Sequence, residues 1–552
     1  MKVIKRDGRA VEYNSEKIKI AIDKANQEVR PQERATKEEI KEIINYIEEL
    51  GKKRILVEDI QDIIEEKLME INKYKLAKKY IVYRYTRALV RKQNTTDESI
   101  LGLIRNENNE TSDKNKDAML VAHQRDYIAG EVSRDLTKRL LLPEKIIKAH
   151  QEGILYFHNA DYFLQPIINS SIINIGDMLD NGTIINKKKI ESPKSFQEAC
   201  IVMTQIIAVV ASNQYGEQTI DMIHLGKYLK KSYDKIKEDI EENNIDKLEN
   251  KNIKNLVDSR LKLELKDGIK IIQYQLETLR ETNIQAPFVN LLLHLDKEDP
   301  YIKENAMIIE EILIQRGKGI ENEKSENVTP QIPKLTYILN ECNCLKGGEY
   351  DYLTRLAVEC SYKGTYLDYI SDKCLKLWKS NDENYKFEGK FNQGMVSINL
   401  QQIEDIAKDD EEKFWQLLEE RLELCKEALM CRHYALVGTK ADVSPILWKH
   451  GGISRLKPGE KIDKLLYGDY STMFLGYDNL NYEEHKEEQF LTKLSKKLKD
   501  TINKWKKENN IKFVLYTKPL ELLSENYNSI EELQVAIQEI YDNGQYVEFN
   551  KQ

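Results

Sequence analysis

Short apolar runs, among them Ile167 to Ile175 and Met395 to Leu400, recur between much longer helical patterns over most of this chain. Strands of that kind alternating with long helices call for an α/β domain, because each helix must cover the sheet face its neighbouring strands expose. Periodicity alone leaves the topology open. The chain has 552 residues, 41% of them hydrophobic and 32% charged, enough to bury two or three cores and outside the composition of a disordered protein.

Charge excludes some partners. The formal net charge is −8, with Lys and Arg interleaved among Asp and Glu, so a nucleic-acid backbone is not an expected partner, whereas small anions are. The first residues lack the apolar stretch of a signal peptide, and no later run is long and apolar enough for a bilayer, so a cytoplasmic chain without a membrane partner is expected. Seven cysteines (200, 342, 344, 360, 374, 425 and 431) are scattered through helical or apolar segments, which suits reduced thiols rather than a disulfide framework. Cys342 and Cys344 have one residue between them and no second pair, so they read as structural, and no metal site is expected.

Residues 1–92 read as a small, mostly helical module. Val3 to Tyr13 has the apolar flanks and central Asp-Gly of a hairpin, and Asn14 or Ser15 can cap a helix burying Ile18, Ile22 and Ala25. Further helices are expected near 37–50 and 57–71, followed by Ala77 to Arg84. Residues 93–117 are polar and form the expected linker, and residues 118–552 read as one large domain. Two Lys/Glu-rich stretches, 226–268 and 482–511, read as helices with solvated faces and no chemistry.

The hairpin carries the first chemical signal. A Lys-Arg pair on a glycine turn beside a helix start offers two cations and free backbone N–H groups, the combination a triphosphate requires. With Lys17-Ile18, Ala21-Ile22 and the closing Tyr80 to Arg84, the module resembles the ATP-cone, the regulatory domain of many ribonucleotide reductases. The resemblance implies ATP or dATP as effector. It places the effector site on Val3, Lys5, Arg6, Asp7, Gly8 and Lys17, with phosphate contacts from Lys5, Arg6 and Lys17 and the turn set by Asp7 and Gly8.

From Arg125 onward the chain resembles the anaerobic, class III ribonucleoside-triphosphate reductases. The matching stretches are Tyr156 to Tyr162, Thr204 to Gly216, Gln285 to Phe288, Phe391 to Leu400, Ala428 to His433, Arg455 to Leu466, Tyr470 to Tyr477 and Ile540 to Asn550. The resemblance implies a ten-stranded α/β barrel, here partly truncated. It also implies nucleoside triphosphates as ligands, a homodimer, and radical chemistry begun by a glycyl radical that an activase generates.

Several of the family's requirements have no counterpart in this sequence. The two Cys-x-x-Cys pairs of its zinc site and its Arg-x-Cys-Gly-Tyr radical loop are absent, so zinc is not expected and the radical would have to come from a separate polypeptide. Cys374 is the candidate thiyl residue, but its flanks depart from the family's finger loop. Ser170 stands where the family has its second cysteine, and a hydroxyl cannot replace a thiol in one-electron chemistry. Ile284 replaces a family glycine, and the segment between Glu521 and Ser529 is shortened. Asn392 matches the family's barrel asparagine, while His158 and Asp161 lie in a motif the family places near the substrate. The reading favoured by these residues is a nucleotide-binding regulatory pseudoenzyme that regulates, titrates or senses, with a true reductase subunit as one candidate partner. The alternative is the body of a split reductase that forms deoxyribonucleotides with a separate glycyl-radical polypeptide.

Overall fold

The computed structural model describes residues 2–4, 10–51, 54–82, 84, 100, 121–243, 250–282, 288–322, 324–374, 387–408, 410–477, 488–516, 520–523 and 527–550. The chain divides into two compact units, Met1–Arg105 and Asn106–Gln552. Lys5, Arg6, Asp7, Gly8 and Ile284 lie outside the described residues, as does all of the linker except residue 100.

In the first unit, β1 (Lys2–Ile4) pairs antiparallel with β2 (Ala10–Glu12) and parallel with β3 (Arg54–Leu56). Three helices pack on this sheet: α1 (Ser15–Gln27), α2 (Lys37–Glu49) and α3 (Val57–Glu70). Local chemistry sets their starts. Asn14 accepts the Glu16 N–H at 3.0 Å, and Thr36 and Glu39 form a reciprocal capping box. Ile18, Ile22, Ile43, Ile47, Ile64 and Leu68 fill the core, and the helix at 74–82 adds Leu76, Ala77 and Tyr80. Arg84 then binds Glu58, Asp62 and Glu65 of α3 at 2.5, 2.6 and 2.8 Å, which fastens the end of the unit. β3 escapes sequence reading because three residues are too few to show a period.

The second unit is built on one large sheet. Its strands are β4 (Ser170–Ile172), β5 (Gln218–Asp221), β6 (Val289–Leu293), β7 (Lys334–Leu339), β8 (Asp368–Ser371), β9 (Lys390–Ile398), β10 (Gly468–Tyr477), β11 (Ile511–Tyr516), β12 (Leu520–Leu523) and β13 (Tyr546–Asn550). Their order is β11-β10-β9-β4-β5-β6-β7-β8-β13-β12, with the short strand Leu155–Phe157 also paired to β9. Strands β4 to β8 run parallel; β9 is antiparallel to β4, and β13 to β8. The sheet thus consists of two oppositely directed halves around a common interior, the expected ten strands of the barrel. β11 and β12 point the same way with only residues 517–519 between them. Side-by-side parallel strands need a crossover of about a dozen residues. β11 is laddered to β10 and β12 to β13.

Helices cover the outer faces. α4 (Phe196–Ala211), α5 (Gly226–Asn243), α6 (Asn250–Thr282) and α7 (Ile302–Lys318) pack over the β4–β8 half. A Cβ at Gly268 of α6 would stand 2.6 Å from the Phe196 ring of α4, so the close helix contact requires glycine there. α8 (Glu411–Leu436) and α9 (Glu488–Asn509) pack over the other half around Phe414, Leu418, Trp505 and Phe513. Of the Lys/Glu-rich stretches, 226–243, 250–268 and 488–509 are helical as expected, whereas Ile511 already begins β11. The apolar run at 167–175 is not one strand, however: only Ser170–Ile172 ladders, because Asn174 caps a new helix at Ile175. Among the described residues no helix is long and apolar enough to cross a membrane.

Candidate functional site

The interior of the sheet holds a cavity of about 320 Å³, at the lower end of the roughly 300–1,000 Å³ of small-ligand pockets. Side chains two residues apart on a strand share a face, and the cavity is layered accordingly. In β4, β6 and β7 the first lining residue is polar and the next apolar: Ser170 then Ile172, Asn290 then Leu292, Thr336 then Ile338. Around this wall runs a polar belt. Thr472 of β10 is opposite Asn392 of β9, which is opposite Ser170 of β4. The Ser171 N–H donates to the Glu217 carbonyl at 3.1 Å, which brings Glu217 beside β4 at the same level. Above the belt, Ile172, Leu292, Ile338, Ile370 and Phe387 make an apolar layer.

Asn392 is held rigidly. Its Oδ1 accepts the Gly394 N–H at 3.1 Å and its carbonyl accepts the Asn169 N–H at 3.0 Å, which leaves the side-chain NH₂ as the group it can offer the cavity. Its neighbour Gln393 turns outward and donates to the Leu466 carbonyl and to Ser471 Oγ, both at 2.8 Å. Gln393 Oε1 must then accept from His433 Nδ1 at 2.9 Å, and Nε2 of that ring receives the Tyr467 hydroxyl at 3.2 Å. Burial pushes the His433 pKa down, in keeping with this neutral tautomer. Beyond Asn392 the β9–β10 register shifts, and Gly394 passes under Arg432, whose Cδ would lie 2.7 Å from any Cβ there.

Cys374 lies just past β8 and lines the cavity, so the structure brings Cys374, Asn392 and Ser170 together. Burial raises the Cys374 thiol pKa. Among the described residues lining the cavity it is the one sulfur. His158 and Asp161 are elsewhere. His158 Nε2 meets Ser397 Oγ at 2.7 Å in a separate cleft with His150, Tyr156 and Asn399. Burial, then the charge of Arg432, lower its pKa to about 4. Asp161 is 3.9 Å from Arg134. The motif that carries both residues is contiguous in sequence, yet the short strand Leu155–Phe157 joins β9 beyond the register shift and leads them away from the cavity. In the first unit, Val3 is buried in the core and Lys17 is exposed on the first turn of α1.

Sequence reasoning missed a charged cluster behind Tyr546, which lines the cavity. Lys334 Nζ contacts Asp368 at 2.7 Å, Glu548 at 2.9 Å and the Tyr546 hydroxyl at 3.3 Å, and Tyr546 donates to Asp368 at 3.1 Å. Those residues come from β7, β8 and β13, so no local motif announces them. Glu217 was closer to view, one residue beyond the Thr204–Gly216 motif. Among the described residues no group of three or more His, Cys, Asp or Glu is placed to hold a metal ion.

A family model described as anaerobic ribonucleoside-triphosphate reductase matches residues 112–552, and one described as ATP cone domain matches residues 1–89. The chain belongs to the anaerobic ribonucleoside-triphosphate reductase family. It is 30% identical to the anaerobic ribonucleoside-triphosphate reductase of Escherichia coli K12 over 97% of this chain and 78% of that protein. It is 31% identical to the Haemophilus influenzae enzyme over 99% of this chain and 80% of that one, and 33% identical to the phage T4 enzyme over 82% and 78%. A crystal structure of the Thermotoga maritima anaerobic ribonucleotide reductase in complex with dATP and CTP shares the fold. Its TM-score is 0.54 at 13% identity, over 78% of this chain and 83% of that one. Another solved anaerobic ribonucleotide reductase gives a TM-score of 0.58, also at 13% identity, over 83% and 84%. The chain is thus a family member with an N-terminal ATP cone, built on the family's barrel.

Proposed function

We propose that this chain is a nucleotide-binding, regulatory homologue of the anaerobic reductases that takes ATP or dATP on its cone through Lys5, Arg6 and Lys17 and does not itself turn over ribonucleotides. The observation that carries this reading is the pairing of Ser170 with Asn392. It puts a hydroxyl, not a thiol, beside the barrel asparagine, in a cavity whose described lining holds a single sulfur. Reducing a ribose by radical transfer requires a sulfur that can be oxidised by one electron and a second source of reducing equivalents nearby. The half-buried Cys374 supplies at most the first of these. Nucleoside triphosphates are the ligands of this reading; a homodimer or a true reductase subunit is its partner.

One observation favours a second reading. Because Cys374 does line the cavity, a separate glycyl-radical polypeptide charged by an activase could use it, with formate in the place of the missing thiol. Mixing the full chain anaerobically with proteins recovered alongside it from its own source separates the two. The regulatory reading expects nucleotide binding without deoxyribonucleotide formation in any mixture, whereas turnover that depends on a co-purifying radical polypeptide establishes the split enzyme. For the cone, Lys5→Ala with Arg6→Ala should abolish ATP and dATP binding in calorimetric titration while the fold is kept, and unchanged binding would refute the cone site.

A further inference from the structure

Glu217 is the cavity residue that neither the fold nor the reading above requires. An ordinary wall position there would be satisfied by an apolar side chain, since a carboxyl group taken from water is costly unless its hydrogen bonds are met. Its environment is built rather than accidental. Thr336 Oγ1 donates to Asn290 Oδ1 at 2.9 Å, which turns the Asn290 NH₂ toward Glu217 at 3.3 Å, and Thr219 Oγ1 approaches at 3.4 Å. Both of these donors end on Oε1. Oε2 is left as the atom a ligand can use.

The Lys334 ammonium, whose charge acts on Glu217, is already occupied. Lys334 has three protons and three partners at hydrogen-bond distance, Asp368, Glu548 and Tyr546. One cation thus stands among three carboxyl groups, those of Glu217, Asp368 and Glu548, and they cannot all ionise together cheaply. Burial raises both Glu217 and Asp368, the charge of Lys334 opposing it in each case.

The surroundings say what would meet it. Glu217 stands in a row with Ser170, Asn392 and Thr472, four small or planar hydrogen-bonding groups spaced along adjacent strands, in a cavity whose lining also includes Thr219, Ile172, Leu292, Ile338 and Ile370. A sugar with a flat apolar substituent has that two-sided chemistry. We propose that Glu217 is the specificity-determining residue of the cavity, its Oε2 hydrogen-bonding a ribose hydroxyl of a ribonucleotide whose sugar lies on the polar belt and whose base lies on the apolar layer. The inference rests on the nucleotide-binding reading and goes beyond it by naming the group that tells ribose from deoxyribose.

The test is calorimetric titration of the full chain, with ATP saturating, by CTP, 2′-deoxy-CTP and 3′-deoxy-CTP. Wild type should bind CTP about tenfold more tightly than at least one deoxy analogue, the worth of one buried hydrogen bond. Glu217→Leu should bring the three ligands within about threefold of one another, and Glu217→Gln, which keeps the shape and the hydrogen bonding, should retain most of the preference. Tryptophan fluorescence on heating confirms that both variants are folded. An unchanged ribose preference in Glu217→Leu overturns the proposal. A wild type that binds ATP but none of the three probes overturns it too, while leaving the cone reading in place; a wild type that binds no nucleotide at all removes the reading beneath it.

Discussion

Replacing Lys334 by Met tests whether the charged cluster around Tyr546 holds the last strand in the barrel. Met preserves most of the stem volume and removes only the ammonium. Asp368, whose side chain is 8% exposed, then keeps a buried charge facing Glu548 with no cation between them. Removing one member of a buried ion pair costs about 3–5 kcal/mol; because Lys334 is itself 27% exposed, the lower figure, about 3 kcal/mol, applies. The pH dependence follows from the carboxyl groups. Burial already holds Asp368 and Glu217 above the ordinary carboxylate range despite Lys334. A folded-state pKa above the unfolded one adds stability that is complete below the unfolded pKa and is lost as pH rises through the folded value. Without the lysine both groups rise further, so the loss is greatest at neutral pH and acidification restores part of it. Urea unfolding followed by tryptophan fluorescence measures this in the right place, since Trp378, Trp415, Trp448 and Trp505 all belong to the second unit. The expected result is a loss of about 3 kcal/mol at pH 7 that falls by about half at pH 5. A loss below about 1 kcal/mol at pH 7, or the same loss at both pH values, would refute the reasoning.

Three further substitutions probe the elements that position the cavity. Gly394→Ala sets a methyl 2.7 Å from Arg432 Cδ. Arg432 is pinned over the Phe157 ring at 4.3 Å and by the His158 carbonyl, so the change should cost about 1–3 kcal/mol, and a cycle with Arg432→Met should show strong coupling. Asn392→Ala leaves the Gly394 N–H without its acceptor and should cost about 1–3 kcal/mol in urea unfolding, with no change in ATP binding by the cone. Glu388→Gln removes the partner of His224. Burial disfavours the charged ring, but the hydrogen bond and charge of Glu388, with Asp221 and Asp180, outweigh it and raise the His224 pKa. Stability from such a group is present below the unfolded histidine pKa and lost as pH rises through the folded one. The cost of Glu388→Gln, about 1 kcal/mol, should therefore be largest near pH 6 and fade by about pH 9. A cost that grows with pH would contradict the assignment.

Much of the architecture was legible because it is local. Asn14 announces a helix start, the Lys/Glu-rich stretches announce helices, and Phe391–Ile398 of the motif at Phe391–Leu400 lies within β9. The candidate site was legible only in part. Ser170, Cys374 and Asn392 come from three separated segments, and their meeting in one cavity depends on β9 running antiparallel beside β4 and on β8 closing the far side. His158 and Asp161 look equally promising in sequence, yet a register shift in β9 sends them to another face. The Lys334–Asp368–Tyr546–Glu548 cluster spans more than two hundred residues and follows from strand order, which periodicity does not encode.

The central claim is that this chain binds nucleotides without reducing them. Under anaerobic conditions, the full chain with ATP, CTP, formate and a family activase with S-adenosylmethionine should bind nucleotide stoichiometrically in the same sample in which deoxycytidine triphosphate does not rise above the protein-free control. Deoxyribonucleotide formation at many turnovers per chain, abolished by Cys374→Ser, would contradict the account and make Cys374 the working thiol of a reductase.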